Sequence, residues 1–176
     1  MAILVIDLSY QTGSVFAFSQ QGQFLGKMDR TEFKSLPADL QAFVKTLKDP
    51  LVAIAIPSGP GAFTPLRVGA STALAMAVVK NIPIIAYPSF LGALCDGEKS
   101  GKIFLDARSS LAFEIEFSKD PTNKVIFSQP NLIEKDCVEE YITNIPQLSE
   151  QLLILYREGA FTPAERFEIR YIKQPR

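Results

Sequence analysis

The residues best suited to chemistry in this chain are a glycine-rich loop and two carboxylates. In Ile56-Pro57-Ser58-Gly59-Pro60-Gly61-Ala62-Phe63-Thr64-Pro65-Leu66-Arg67-Val68-Gly69 a short apolar run gives way to a long, almost uncharged one. Glycine admits positive φ and proline fixes φ, so Gly-Pro-Gly breaks the chain direction. Thr64 before Pro65 has the form of a helix start, with threonine as cap and proline at the first helical position. Such a loop and helix N-terminus present N–H groups and the positive end of a helix dipole to an anion. The same residues also make a plain strand-to-helix turn, and no Lys-Ser/Thr pair closes the loop as phosphate loops require. Asp7 and Asp106 each end an apolar run, and Gly13 opens the strand that follows the first. A carboxylate at a hairpin mouth can face a nucleotide or metal, or it can close an Asx turn. Asp7 and Gly13 are therefore the candidate cofactor contacts.

Other chemistry is excluded by composition. The chain has no histidine, which removes the Ser-His-Asp triad, Cys-His pairs and His-ligated metals. Cys95 and Cys137 are too few for a disulfide framework or a four-cysteine zinc site. A net charge of −1 argues against binding nucleic acid by bulk electrostatics. Met-Ala-Ile-Leu-Val-Ile-Asp has no basic n-region and Asp7 interrupts it, so no signal peptide is expected. No apolar run approaches the ~20 residues of a membrane span. The expected setting is cytoplasmic, with no metal and no cofactor. At 176 residues and 47% apolar, the chain suits one domain or two small lobes.

The elements that position these residues follow from patterning. Ala2–Ile6 is a buried strand, and with Ser14–Ser19 and Phe24–Asp29 it forms an antiparallel meander. Leu36, Leu40, Phe43, Val44 and Leu47 recur at helical spacing, with Ser35 as a plausible cap. Leu51–Ile56 then joins the first strand in parallel through a crossover. Leu66–Lys80 is a helix whose only charges, Arg67 and Lys80, sit at its ends. A surface helix shows a polar face; this one does not. Gly69, Ala73 and Ala77 make a smooth ridge beside Leu74 and Val78. Either the helix meets a partner protein, together with the Leu36–Leu47 helix, or a second lobe encloses it. On the first reading, Ala73→Glu or Leu74→Arg blocks association without unfolding. Ile82–Tyr87 is a further strand and Phe90–Leu94 is helical. Val125–Ser128 and Leu152–Tyr156 read as strands, Lys135–Ile142 as a helix and Phe167–Lys173 as a weak last strand. Arg166, Arg170, Lys173 and Arg176 give a basic end, either solvated or against RNA phosphate.

Lys102–Asp106, Ala107–Ser110 and Leu111–Phe117 repeat the pattern of the opening hairpin. Two lobes, residues 1–97 and 102–176, each opening with strand-Asp-hairpin, indicate an α/β, actin-like ATPase (ASKHA, ribonuclease H-like) fold with a reduced second lobe. The second hairpin, Asp106-Ala107-Arg108-Ser109-Ser110, has no glycine to admit a phosphate.

Gly59–Gly69 resembles the GPGSFTGLRIG signature of the TsaB (YeaZ) family, with Ala62 for Ser and Pro65 for Gly. Ile3–Ser9 resembles that family's opening strand and Asp-Thr-Ser turn, Leu105–Arg108 its aspartate-alanine-arginine hairpin, and Ile169–Lys173 its closing Arg-Tyr-Leu-Arg. The resemblance implies a non-catalytic scaffold, an inactive paralogue needed for N6-threonylcarbamoyladenosine (t6A) at tRNA position 37. It implies that the protein binds and activates the threonylcarbamoyltransferase TsaD, joins the ATPase TsaE, meets tRNA through the complex, and forms a homodimer when alone. The implied interface comprises Leu36, Leu40, Phe43, Leu66, Gly69, Ala70, Ala73, Leu74 and Ala77. An actin-like-fold ATPase or small-molecule kinase is the alternative. A peptidase is poorly served by a chain without histidine.

Overall fold

A computed structural model describes residues 1–9, 14–28, 34–108, 111–134 and 143–170, except for the Arg108 side chain. Gly13, Lys135–Ile142 and the last six residues lie outside the described residues.

β1 (Ala2–Asp7), β2 (Ser14–Ser19), β3 (Phe24–Met28), β4 (Leu51–Pro57) and β5 (Ile84–Tyr87) form one sheet in the order β3-β2-β1-β4-β5. β1 pairs antiparallel with β2 and parallel with β4, and β4 is parallel to β5. The crossovers carry helices α1 (Leu36–Thr46) and α2 (Phe63–Lys80). β1 is buried along its whole length because both faces of the sheet are covered. Leu4, Ile6, Ile54 and Ile56 pack with Leu36 and Leu40 of α1 and Ala73 and Ala77 of α2. Ile3, Val5, Ala53 and Ala55 face the other way, into a core shared with the second lobe. The period of two thus sends alternate residues of a uniformly apolar strand into two different cores.

The second lobe holds β6 (Ser100–Arg108), β7 (Leu111–Lys119), β8 (Val125–Phe127) and β9 (Asn131–Glu134), with β8 and β9 both pairing with β7. β6 and β7 form an antiparallel hairpin, as β1 and β2 do. Strand β6 continues past Asp106, which is exposed, whereas Asp7 is buried.

Two expectations change. Leu152–Tyr156 is not a strand but the end of α3 (Ile145–Arg157). Asn144 caps it, accepting from the Gln147 amide, and Leu148 and Leu152 bury one helical face. A short apolar run does not by itself distinguish strand from helix. The residues from Phe167 to Arg170 form no strand. Instead the segment after α3 returns to the first sheet, where Thr162 makes an antiparallel bridge to Ile84. β9, which follows Pro130, was not anticipated.

Candidate functional site

The glycine loop is built by close backbone approach. The Ser58 amide donates to the Tyr87 carbonyl at 2.7 Å, and the Ser58 carbonyl accepts the Arg170 amide at 2.7 Å. The Gly59 carbonyl accepts the Ser89 amide at 3.0 Å, and the Ala62 amide donates to the Ser9 carbonyl at 2.6 Å. Gly59 has φ 104°, and a Cβ there would lie 2.5 Å from the Arg170 carbonyl oxygen. A Cβ on Gly61 would collide with the Ser9 carbonyl oxygen. The glycines therefore admit neighbouring segments of this chain, and the amides of Ser58 and Ala62 are already engaged within it.

The helix start also differs from expectation. α2 begins at Phe63, with Ala62 before it in extended conformation and no side-chain cap. Pro65 is thus the third helical residue, still in the first turn, where a missing N–H breaks no helical bond. In α1, Ser35 is in helical conformation and its side chain makes no capping bond.

Asp7 is buried at the end of β1, 1% exposed. Its Oδ1 accepts from the Ser9 amide at 3.1 Å and from the Ser9 hydroxyl, and its Oδ2 accepts from the Tyr87 phenol at 3.1 Å. Burial pushes the carboxyl pKa up, and the bonds from Ser9 and Tyr87 oppose that rise. The geometry is an Asx turn pinned by a tyrosine from β5.

The proposed interface residues point in two directions. Leu36, Leu40, Leu66, Gly69, Ala70, Ala73 and Ala77 are buried, and Phe43 and Leu74 are half-buried. The ridge of Gly69, Ala73 and Ala77 lies against the chain itself: a Cβ on Gly69 would meet Leu8, and Ala73 and Ala77 pack with the sheet. Small residues let α2 approach its own sheet closely, so Ala73→Glu would bury an unpaired charge in the core and unfold the protein. The C-terminal segment packs Phe167 on the α2 side, but the second sheet makes its core contacts with the opposite face of the first sheet, so the outward face of α2 is not enclosed.

The outward face of α2 carries Arg67, Ser71, Ala75, Val78, Val79 and Lys80, all exposed. Between its terminal charges this face has only small and apolar groups, and Val78 and Val79 are 68% and 86% exposed. Beside it, α1 and α2 bound a groove of about 640 Å³, lined by Pro37, Gln41 and Val44 on one side and Thr72, Ala75, Met76 and Val79 on the other. The small-residue stripe of α2 expected at an interface is thus taken by the sheet, and a different stripe is left exposed. The missing signal was that β1 and β4, apolar on both faces, need a helix closely apposed, which claims the small-residue ridge.

Residues 36–115 match the family model of TsaD, tRNA N6-adenosine threonylcarbamoyltransferase. No curated protein sequence matches the chain. Among solved structures, YeaZ from Pseudomonas aeruginosa matches 97% of this chain and 99% of its own, with TM-score 0.76 and 16% identity. The chain has the YeaZ fold. A second structure, described as an uncharacterized protein with similarity to peptidase YEAZ from Pseudomonas aeruginosa, matches 98% of this chain and 99% of its own, with TM-score 0.77 and 16% identity. The YeaZ likeness spans both sheets and agrees with the actin-like architecture expected from the paired hairpins. The TsaD-family match runs from α1 into β7 and includes the glycine loop and α2. No helix among the described residues is long and apolar enough to cross a membrane.

Proposed function

We propose that this protein is a TsaB-type scaffold in tRNA t6A formation, which binds a TsaD-type threonylcarbamoyltransferase and brings it to its active state. The observation that carries this reading is the outward face of α2. Twelve positions of helix between Arg67 and Lys80 hold no charge, and the exposed part of that stretch adjoins an apolar groove against α1. An uncharged exposed helix face is a docking surface in search of a partner. The YeaZ fold and the TsaD-family match in the same segment support a TsaD-type partner.

The site geometry supports a non-catalytic role. The Ser58 and Ala62 amides are satisfied by Tyr87 and Ser9, and Asp7 is held by Ser9 and Tyr87. The chain brings no imidazole. The transfer chemistry then resides in the partner, and this chain contributes shape. A second copy would occupy the same face when the partner is missing.

The test is co-expression with the TsaD homologue of the same organism. Size-exclusion chromatography should show a stable complex, and nucleoside mass spectrometry should show t6A restored in cells depleted of their own scaffold. A complex that never forms, or t6A that is unchanged when this chain is removed, overturns the reading.

A further inference from the structure

A second cavity, of about 570 Å³, lies between the lobes and is walled on one side by Ser58, Gly59 and Pro60 of the glycine loop. Its size falls in the range of small-molecule sites, which favour domain junctions and combine an apolar floor with a few convergent polar groups. Here the floor is aromatic. Phe90, 1% exposed, and Phe127 of β8 stand with ring centroids 6.2 Å apart, tilted by 47°. Arg166 and Arg170 of the returning C-terminal segment line the same cavity. Neither forms an ion pair with a carboxylate among the described residues. Glu168 is the one acidic residue of the lining, so the cavity carries a net positive charge.

We propose that this interlobe cavity binds a small ligand with one flat apolar ring and one anionic group, the ring on Phe90 and Phe127 and the anion between Arg166 and Arg170. Guanidinium groups suit planar oxyanions because their N–H donors form a fork. Aromatic faces accept a ring in offset or edge contact. The site shares no residue with the α1–α2 groove, although Phe167 and Glu168 also border Arg67 and Ser71 of α2. It also joins four separate parts of the chain: the glycine loop, the end of β5 with the turn after it, the second sheet and the C-terminal segment. Occupancy therefore ties the C-terminal segment to the second lobe and raises the melting temperature through linkage.

Fluorescence titration of the full chain with anilinonaphthalene sulfonate tests this, with uncharged phenylnaphthylamine as the comparison. Saturable binding at one site is expected, roughly tenfold tighter for the sulfonate. Arg166→Ala and Arg170→Ala should each weaken the sulfonate roughly tenfold and leave phenylnaphthylamine unchanged. Glu168→Gln should tighten the sulfonate about twofold. Phe127→Ala should weaken both probes. Arg166, Glu168 and Arg170 are exposed, so their variants should keep their melting temperatures within a few degrees; Phe127 packs against the core, so its variant is read only where circular dichroism shows it folded. Equal affinity for both probes, no effect of either arginine change, or loss of sulfonate binding in Ala75→Glu on the α2 groove overturns the proposal. An absence of sulfonate binding to the wild-type chain overturns it as well. None of these outcomes depends on whether a TsaD-type partner is bound.

Discussion

Tyr87 donates its phenolic hydrogen to Asp7 Oδ2 at 3.1 Å, across 80 positions of sequence, with both side chains shielded from water. The bond links the ends of β1 and β5, two strands separated in the sheet by β4. Replacing Tyr87 with Phe leaves one carboxyl oxygen without that donor in a buried site. The expected loss is about 1–3 kcal/mol, a melting-temperature fall of roughly 2–10 °C at this size. Thermal denaturation followed by circular dichroism measures it; an unchanged transition would show that the phenol contributes nothing.

The same carboxyl makes a pH prediction. Burial raises the Asp7 pKa above its ordinary value of 3.8, against the opposing bonds from Ser9 and Tyr87. A group with a raised folded-state pKa contributes its full stability below the unfolded value and loses it as pH rises through the folded value. Asp7→Asn removes that titration. Urea denaturation at acid and at neutral pH should show the variant gaining on the wild type as pH increases. A wild type that gains on the variant instead would mean that the charged form is the favoured one.

Gly59 and Gly61 should be intolerant of a side chain for reasons that separate experimentally. At Gly59 both the φ of 104° and the Arg170 carbonyl oppose a Cβ; at Gly61 φ is unexceptional, and the Ser9 carbonyl opposes it first, with Leu66 Cδ1 also close at 3.0 Å. Gly159 has φ 68° and nothing within 4 Å, so its alanine variant carries only the backbone penalty of roughly 1–2 kcal/mol. Gly61→Ala should exceed that, because backbone must move to make room. If Gly61→Ala is no worse than Gly159→Ala, the loop is not held by close approach to Ser9.

These sites show where the sequence was readable. The continuous apolar runs of β1 and β4, and the helical spacing of Leu36 and Leu40, required a parallel crossover sheet covered on both faces. The paired strand-Asp-hairpin pattern pointed to two antiparallel hairpins, which the structure places in separate sheets. Local patterning could not show which way Gly69, Ala73 and Ala77 face, because small residues favour close approach to a sheet and to a partner alike. Nor could it show that Tyr87 holds Asp7, since that bond depends on the final order of strands. The segment from Thr162 to Arg170 offers only the weak alternation that begins at Phe167, and no strand forms there. Its place is set by single backbone bonds to Ile84 and Ser58.

The orientation of α2 gives the sharpest test of the proposed scaffold role. Ser71 and Ala75 are exposed, and Ala73, two positions from each, is fully buried. Ser71→Arg and Ala75→Glu add a charge to the outward face, where solvent accommodates it, so stability should stay within about 0.5 kcal/mol. Against a TsaD-type partner the same charge is desolvated without a counter-ion, which costs about 3 kcal/mol or more and weakens association over a hundredfold. Ala73→Glu should instead abolish the folding transition, because its charge enters the core between α2 and the first sheet. Melting curves and size-exclusion chromatography with the partner distinguish the two classes. If Ala75→Glu and Ser71→Arg still co-elute with the partner, the outward face of α2 is not the interface, whatever the fold of the partner.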